Sequence, residues 1–394
     1  MKIYLLKKDR KSYKEWIEKT KCDPYSIELM EKKTFYYIIF FKDAKIEFAN
    51  ILKQTALSLG CDCSIGRDVI SGKTDKSDIL LAASKSQILK MKEKLKGQPF
   101  LLEKSMDYIV DTIDFKDSFY VDGTDLLEKK KFLIMGILNV TPDSFYDGGK
   151  FNDVESALKR VEQMVEEGAD IIDVGGQSTR PFSEPVSVDE EMKRVLPVFE
   201  NILKRFPSLL LSVDTYNSKT AYNALSAGVK IVNDISGLSF DPDMGDVVSK
   251  KKASLILMHI KGTPKDMQVN PTYDDLLIEI VDYLEDRINK ALNCGIDPLK
   301  ISVDPGIGFG KSVEDNLKIV NNLEIFSTLK KPITLGVSNK SFIGKVLNRE
   351  KDERVYGTVG ANICGFLNGA KIFRVHNVRE NHDALKIASE VLCH

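Results

Sequence analysis

The chain has 394 residues, with 57 Lys and Arg against 58 Asp and Glu, so bulk charge gives no grounds for binding nucleic acid or an anionic membrane. That length suits two domains or one large barrel with an addition, and no apolar stretch approaches the ~20 residues that span a bilayer. The start MKIYLLKKDRKSYKEW holds only a short apolar run followed by charges, so no signal peptide is expected. Cys22, Cys61, Cys63, Cys294, Cys364 and Cys393 lack C-x-x-C spacing and read as reduced structural thiols, which points to the cytoplasm.

Residues 1–115 alternate strand-like and helix-like runs: KIYLL, SYKEWIEK, FYYIIFF, ANILKQTALSLG, DVISG, DILLAAS and SQILKMKEKLKG. They are expected to form a small α+β domain of their own. The region has no histidine, its charges scatter as on a solvated surface, and nothing in it reads as catalytic. Next, SFYVDGTDLL (118–127) sets Asp122–Gly123 between two short strand-like runs, a hairpin signal placed to plug the bottom of a barrel just before its first strand.

From about residue 132, short apolar runs recur: FLIMGILN, IIDVGG, LLLSVDT, IVNDIS, LILMHI, ISVDPG, ITLGVS and IFRVH. Helical spacing fills the gaps, as in VESALKRVEQMVEEGAD and YDDLLIEIVDYLEDRINKALNCG, and several segments close on glycine (Gly168, Gly228, Gly295). Strand then helix, eight times over, is the pattern of an α/β (β/α)8 barrel across 116–394; an open doubly wound sheet alternates in the same way.

Most of these strands run out into groups capable of chemistry: Asn139, Asp173, Asp214, Asn233–Asp234, His259, Asp304 and Arg374–His376, while another leads into Ser338–Asn339–Lys340. One such Asp is ordinarily a helix cap. A ring of them is better explained by a parallel barrel, whose C-terminal strand ends meet on one face. Asp214 and Asp304 supply acceptors, Asn233 both donor and acceptor, and Lys340 a cation, a set that matches the amino-pyrimidinone edge of a planar heterocycle. Arg374, His376 and the helix opening near Ser341 suit an anion such as a diphosphate. Asn139 and the acidic loop after it suit a hard cation such as Mg²⁺. Two bland readings stay open: Asp173 as a brace between strands and His259 as a satisfied core histidine. DPGIGFGK lacks the spacing of a nucleotide-binding phosphate loop.

In this order, MGILNVTPDSF, GADIIDVGGQSTRP, SVDT, NDISG, LMH, DPGIGFGK, GVSNKSFIG and FRVHNV resemble the dihydropteroate synthases, over essentially all of 131–394. The resemblance implies condensation of 6-hydroxymethyl-7,8-dihydropterin diphosphate with 4-aminobenzoate, giving 7,8-dihydropteroate and diphosphate for folate synthesis. It implies that Asp214, Asn233, Asp304 and Lys340 hold the pterin, with Met258 and Phe309 packed near its ring. Thr179, Arg374 and His376 would lie along the diphosphate side, Arg374 also able to stack on the heterocycle, Arg180 and Ser341 would bind substrate as well, and Asp147, Lys340, Arg374 and His376 would be the catalytic set. Asn139 would bind Mg²⁺, Asp147 would steady positive charge at the reacting methylene, and barrel helices would form a homodimer. The loops TPDSFYDGGKF and GGQSTRPF would close over the site. Gln177, Phe182, Asn339 and Asn377 depart from the family pattern, which commonly has Glu, Gly, Arg and Asp there. A methyl-transfer module sharing the barrel, or a pterin binder without turnover, are the rival readings.

Overall fold

The computed structural model describes residues 17–22, 24–34, 36–140, 150–178, 184 and 186–393. The chain divides into two compact units, Met1–Phe115 and Lys116–Leu392.

In the first unit, α1 (Pro24–Thr34) precedes β1 (Tyr36–Lys45), α2 (Ile46–Ser58), β2 (Asp62–Ile65), β3 (Lys76–Ser84), α3 (Lys85–Lys94) and α4 (Leu102–Ile113). The three strands form an antiparallel sheet in the order β1-β3-β2. Ile79, Leu81 and Ala83 alternate along β3 and pack with Leu52, Ile88, Met91 and Met106 of the helices in one apolar core. Tyr36, Ile38 and Phe40 on β1 and Leu80 on β3 are exposed. DVISG, grouped with the regular runs at the sequence level, is a turn.

The second unit opens with a hairpin, β4 (Tyr120–Val121) and β5 (Thr124–Asp125), whose turn residues Asp122 and Gly123 both take positive φ, as a tight two-residue turn requires. Eight parallel strands come after it: β6 (Leu133–Asn139), β7 (Ile171–Gly175), β8 (Leu210–Asp214), β9 (Ile231–Asp234), β10 (Ser254–Met258), β11 (Ile301–Asp304), β12 (Ile333–Leu335) and β13 (Ala370–Val375). They close into a barrel, with β13 pairing back onto β6. The helices between them are α5 (Lys150–Glu166), α6 (Val188–Arg205), α7 (Ser218–Ala227), α8 (Met244–Lys250), α9 (Leu276–Asn293), α10 (Val313–Asn321), α11 (Ser341–Leu347) and α12 (Val355–Leu367), and α13 (Val378–Cys393) succeeds the last strand. Gly168, Gly228 and Gly295 all have positive φ. They end their helices in a conformation that a Cβ would strain.

Strand side chains alternate between the two faces. One set packs against the helices; the other fills the barrel in layers. At the bottom, Leu133, Met135, Ile171, Ile231, Ile256 and Ile372 cluster with Phe119, Val121 and Leu127 of the hairpin segment, which therefore closes that end. Higher up the interior turns polar: Ser302 Oγ lies 2.7 Å from Thr334 Oγ1 and donates to the Pro332 carbonyl. The same inward parity carries Asp173, Asp214, Asn233, Met258, Asp304 and Arg374 to the upper end.

Candidate active site

Register levels these groups. Asn139 pairs with Gly175, Gly175 with Asp214, and Asp214 with Asn233; across the barrel Met258 pairs with Asp304. Polar residues scattered over more than two hundred positions thus arrive at one rim. Asp214, Asn233, Met258, Asp304, Phe309, Lys340 and Arg374, all named from the sequence, line a single cleft that opens to solvent. Ile235 and Gly336 complete its lining. Neither carries a chemical group that sequence reasoning was able to recognise.

Arg374 organises the floor. Its Nε donates to Asp173 Oδ2 and its Nη2 to Asp214 Oδ2, each at 2.6 Å. Asn233 Nδ2 donates to the same Asp173 oxygen at 3.0 Å. Asp173 is therefore more than a strand brace: it orients two residues that line the cleft. Burial pushes the Asp214 carboxyl up to about 7, against the pull of the guanidinium. Burial also works against the Arg374 cation, but the carboxylates around it hold its pKa above the ordinary value. With Nε and one Nη2 proton engaged, three of the five guanidinium N–H groups have no partner among the described residues. Asp214 Oδ1 is buried and has no hydrogen-bond partner among the described residues. A buried acceptor left in that state costs ~1–3 kcal/mol, which a ligand N–H would recover.

Opposite lies a second carboxylate. Asp304 Oδ1 accepts from the Gly306 amide at 2.7 Å, and Oδ2 lies beside Gly336, 3.8 Å from where a Cβ there would stand. Burial raises its pKa while Lys340 opposes the rise. The Lys340 ammonium sits 4.5 Å from the Phe309 ring centroid and donates to the Ile307 carbonyl. Burial lowers its pKa to about 8. The cleft thus presents carboxylates on two sides, a cation on an aromatic face and a thioether.

Other residues named from the sequence fall elsewhere. Asp234 turns outward, and its carboxylate accepts from the Ser236 and Leu238 amides and the Ser236 hydroxyl, holding the turn after β9. His376 Nδ1 lies 2.9 Å from Ser338 Oγ, and its carbonyl accepts from Arg160 at 2.6 Å, on the loop after β13. Ser341 is exposed at the start of α11. Asp147, Thr179, Arg180 and Phe182 lie outside the described residues. Two departures from the family pattern touch: Asn339 Nδ2 donates to Asn377 Oδ1 at 3.3 Å. A third, Gln177, donates to the Tyr216 hydroxyl at 2.6 Å.

Asn139 is half-buried at its strand end, and among the described residues no group of three or more His, Cys, Asp or Glu is placed to hold a metal. The Asn139 amide oxygen could take one position in a shell that Mg²⁺ otherwise fills with water and substrate phosphate. The same oxygen would not suffice for a metal needing an all-protein cage.

The family of pterin binding enzymes matches residues 135–376. The dihydropteroate synthase of Bacillus subtilis is 44% identical over 270 residues, covering 68% of this chain and 92% of its own. A probable bifunctional folylpolyglutamate synthase/dihydropteroate synthase of Halobacterium salinarum is 38% identical over 341 residues, 86% of this chain and 41% of its own. That match reaches back into the first unit. Among solved structures, Xanthomonas albilineans dihydropteroate synthase with 4-aminobenzoic acid superposes with a TM-score of 0.66 at 38% identity, covering 70% of this chain and 99% of that one. The same enzyme in complex with 7,8-dihydropteroate gives 0.62 at 37%, covering 69% and 97%. The chain belongs to the pterin binding enzyme family and, within it, to the dihydropteroate synthases.

Proposed function

We propose that the cleft holds the pterin of 6-hydroxymethyl-7,8-dihydropterin diphosphate, which the enzyme condenses with 4-aminobenzoate to give 7,8-dihydropteroate and diphosphate. The observation that carries the placement is the cleft that Asp214, Asp304 and Lys340 line together, with Asp214 Oδ1 buried and unpartnered among the described residues. Amino and ring N–H groups of the heterocycle donate to the two carboxylates and to the Asn233 amide oxygen. The Lys340 ammonium donates to the ring carbonyl, and Met258 and Phe309 cover the faces.

In the reaction the methylene–oxygen bond breaks and the diphosphate leaves with the bonding pair. The electron-rich dihydropterin spreads the resulting positive charge, and the arylamine nitrogen attacks the methylene and then sheds a proton. An arylamine is already a neutral nucleophile, so no side chain is assigned as a dedicated general base. The remaining guanidinium N–H groups of Arg374, with His376, stabilise the departing anion. Asn139 would hold Mg²⁺, which supplies charge neutralisation at the diphosphate when bound. Thr179, Arg180 and Asp147 keep the roles that the family resemblance implies.

We place the enzyme in the cytoplasm as a homodimer. In support of the dimer, Val346 and Leu347 on α11, Tyr356 and Leu367 on α12, and Ile387 and Val391 on α13 are exposed on neighbouring helices, and α12 and α13 are tied by an Asn362–Asn381 hydrogen bond. No helix of the described residues is long and apolar enough to cross a membrane.

A diphosphate-release assay tests the reading. Release is expected only when both organic substrates and Mg²⁺ are supplied. Release without 4-aminobenzoate, or pterin binding with no turnover, would overturn it.

A further inference from the structure

Lys311 is a buried amine that the reaction scheme leaves unused. It is 2% exposed, and its Nζ lies 2.8 Å from Nδ1 of His259, itself 4% exposed. Its other partner is the Phe309 carbonyl at 3.0 Å. Neither partner is a carboxylate. Burial pushes both groups well below their usual pKa. For Lys311, Lys340 and Lys261 add to that push while Asp304 and Asp315 oppose it. In the tautomer with the ring proton on Nε2, Nδ1 is the acceptor and the amine donates to both partners.

His259 is a junction. Its backbone amide donates to the Asp304 carbonyl at 2.9 Å. Its ring meets Tyr283 edge-on at 4.8 Å between centroids. The loop after β11 crosses directly over it: at Gly306, with φ +71°, a Cβ would stand 1.8 Å from the His259 carbonyl oxygen. That loop carries three parts of the cleft. Asp304 Oδ1 is bound by the Gly306 amide, the Phe309 ring lies under Lys340, and the Ile307 carbonyl accepts from Lys340.

Resting on the pterin reading of the cleft, we infer that Lys311 and His259 are positioning residues for this site. Their hydrogen bond pins the loop to the end of β10 and so sets Asp304, Phe309 and Lys340 against the heterocycle. Packing alone does not call for an amine here. A methionine would fill similar space without the cost of burying a polar group. A purely structural Lys311 therefore predicts that Lys311→Met leaves ligand affinity intact.

The test measures binding of 6-hydroxymethyl-7,8-dihydropterin to the full chain by calorimetry, with steady-state kinetics and melting curves beside it. Lys311→Met is expected to melt at or above the wild-type temperature, yet to weaken pterin binding by about tenfold or more, since small misplacements at a site cost this much. The KM for 4-aminobenzoate should hold, and kcat should fall less than pterin affinity. His259→Asn keeps an acceptor at the Nδ1 position and should bind within about threefold of wild type, whereas His259→Leu should match Lys311→Met. Wild-type affinity in a folded Lys311→Met, or equal losses in the two His259 variants, would overturn the inference. Should Lys311→Met fail to fold, the His259 pair decides alone. Asp214→Ala separates the levels. If it too binds normally, the pterin reading has failed; if it alone weakens binding, only the positioning role has.

Discussion

The charge states in the cleft predict a narrow pH window for pterin binding. Asp214 has its pKa raised to about 7 and Lys340 has its lowered to about 8. The carboxylate is the better acceptor only when ionised, above the first value; the ammonium donates best when protonated, below the second. Both hold only between them, and a two-group bell puts the fully competent fraction at about six-tenths near its centre and about a tenth one unit outside either limit. Titrating the protein with the alcohol 6-hydroxymethyl-7,8-dihydropterin avoids the ionisation of the diphosphate. The association constant, measured by calorimetry from about pH 5.5 to 9.5, should rise and fall by roughly twentyfold on each side. The acid limb has its own control. Glu191 is one of the carboxylates that raise Asp214, and it lies outside the cleft, accepting from Thr220 Oγ1 at 2.7 Å and Asn217 Nδ2 at 2.8 Å. Glu191→Gln keeps an acceptor for both donors and removes the charge, so the acid limb should move to lower pH while the alkaline limb stays. A binding constant flat across the range, or limbs that move together in Glu191→Gln, would refute the assignment of these two groups.

The same geometry sets other outcomes. Asp214→Ala and Lys340→Ala should each cost at least about a hundredfold in kcat/KM for the pterin substrate, the loss of a charge-assisted contact of roughly 3 kcal/mol, as read in initial-rate assays. Asn339 meets Asn377 where the family pattern commonly has Arg and Asp. The family resemblance implies a cation at position 339 near the 4-aminobenzoate end, so Asn339→Arg should lower the KM for that acid, and adding Asn377→Asp should reverse part of that gain by pairing the new cation, a coupling of about 0.5–1 kcal/mol in a double-mutant cycle. Chelating divalent metal with EDTA should stop diphosphate release, and Mg²⁺ should restore it. Tyr356→Asp, at a side chain 87% exposed on α12, should halve the solution mass seen by light scattering if that face is the dimer contact.

The barrel was legible because its signal repeats. Each strand is a short apolar run, and a period of two carries every second residue inward, so apolar ends at Leu133, Ile171 and Ile231 and polar ends at Asn139, Asp214 and Asn233 are two readings of one pattern. The first unit was harder to read. β2 is the segment DCSI, whose Asp and Ser are poor strand formers, and only its pairing with β3 makes it a strand. α4 went unread although Leu102, Met106 and Ile109 recur at helical spacing, because no strong cap announces it: Leu101 precedes it in a left-handed conformation. In the cleft, residue types were readable but their partners were not. Arg374 finds Asp173 across 201 residues and Asp214 across 160, and Lys311 finds His259 across 52. No local pattern encodes such pairs; they exist only once the strands have closed.

That closure makes Asp173, Asp214 and Arg374 one electrostatic unit rather than three contributors. Removing the guanidinium would leave two buried carboxylates facing each other, whereas removing Asp173 would leave Arg374 held by Asp214 alone. Breaking a buried pair in this way costs about 3–5 kcal/mol, and the remaining acid escapes part of the cost by taking up a proton. The losses in Arg374→Met and Asp173→Asn should consequently overlap. A double variant should be less impaired in pterin binding than the product of the two single losses, because Asp173→Asn removes one of the two carboxylates that Arg374→Met strands and leaves only Asp214 without its cation. Strict multiplicativity in that cycle would mean that the two side chains serve the substrate independently, which the shared 2.6 Å contact argues against.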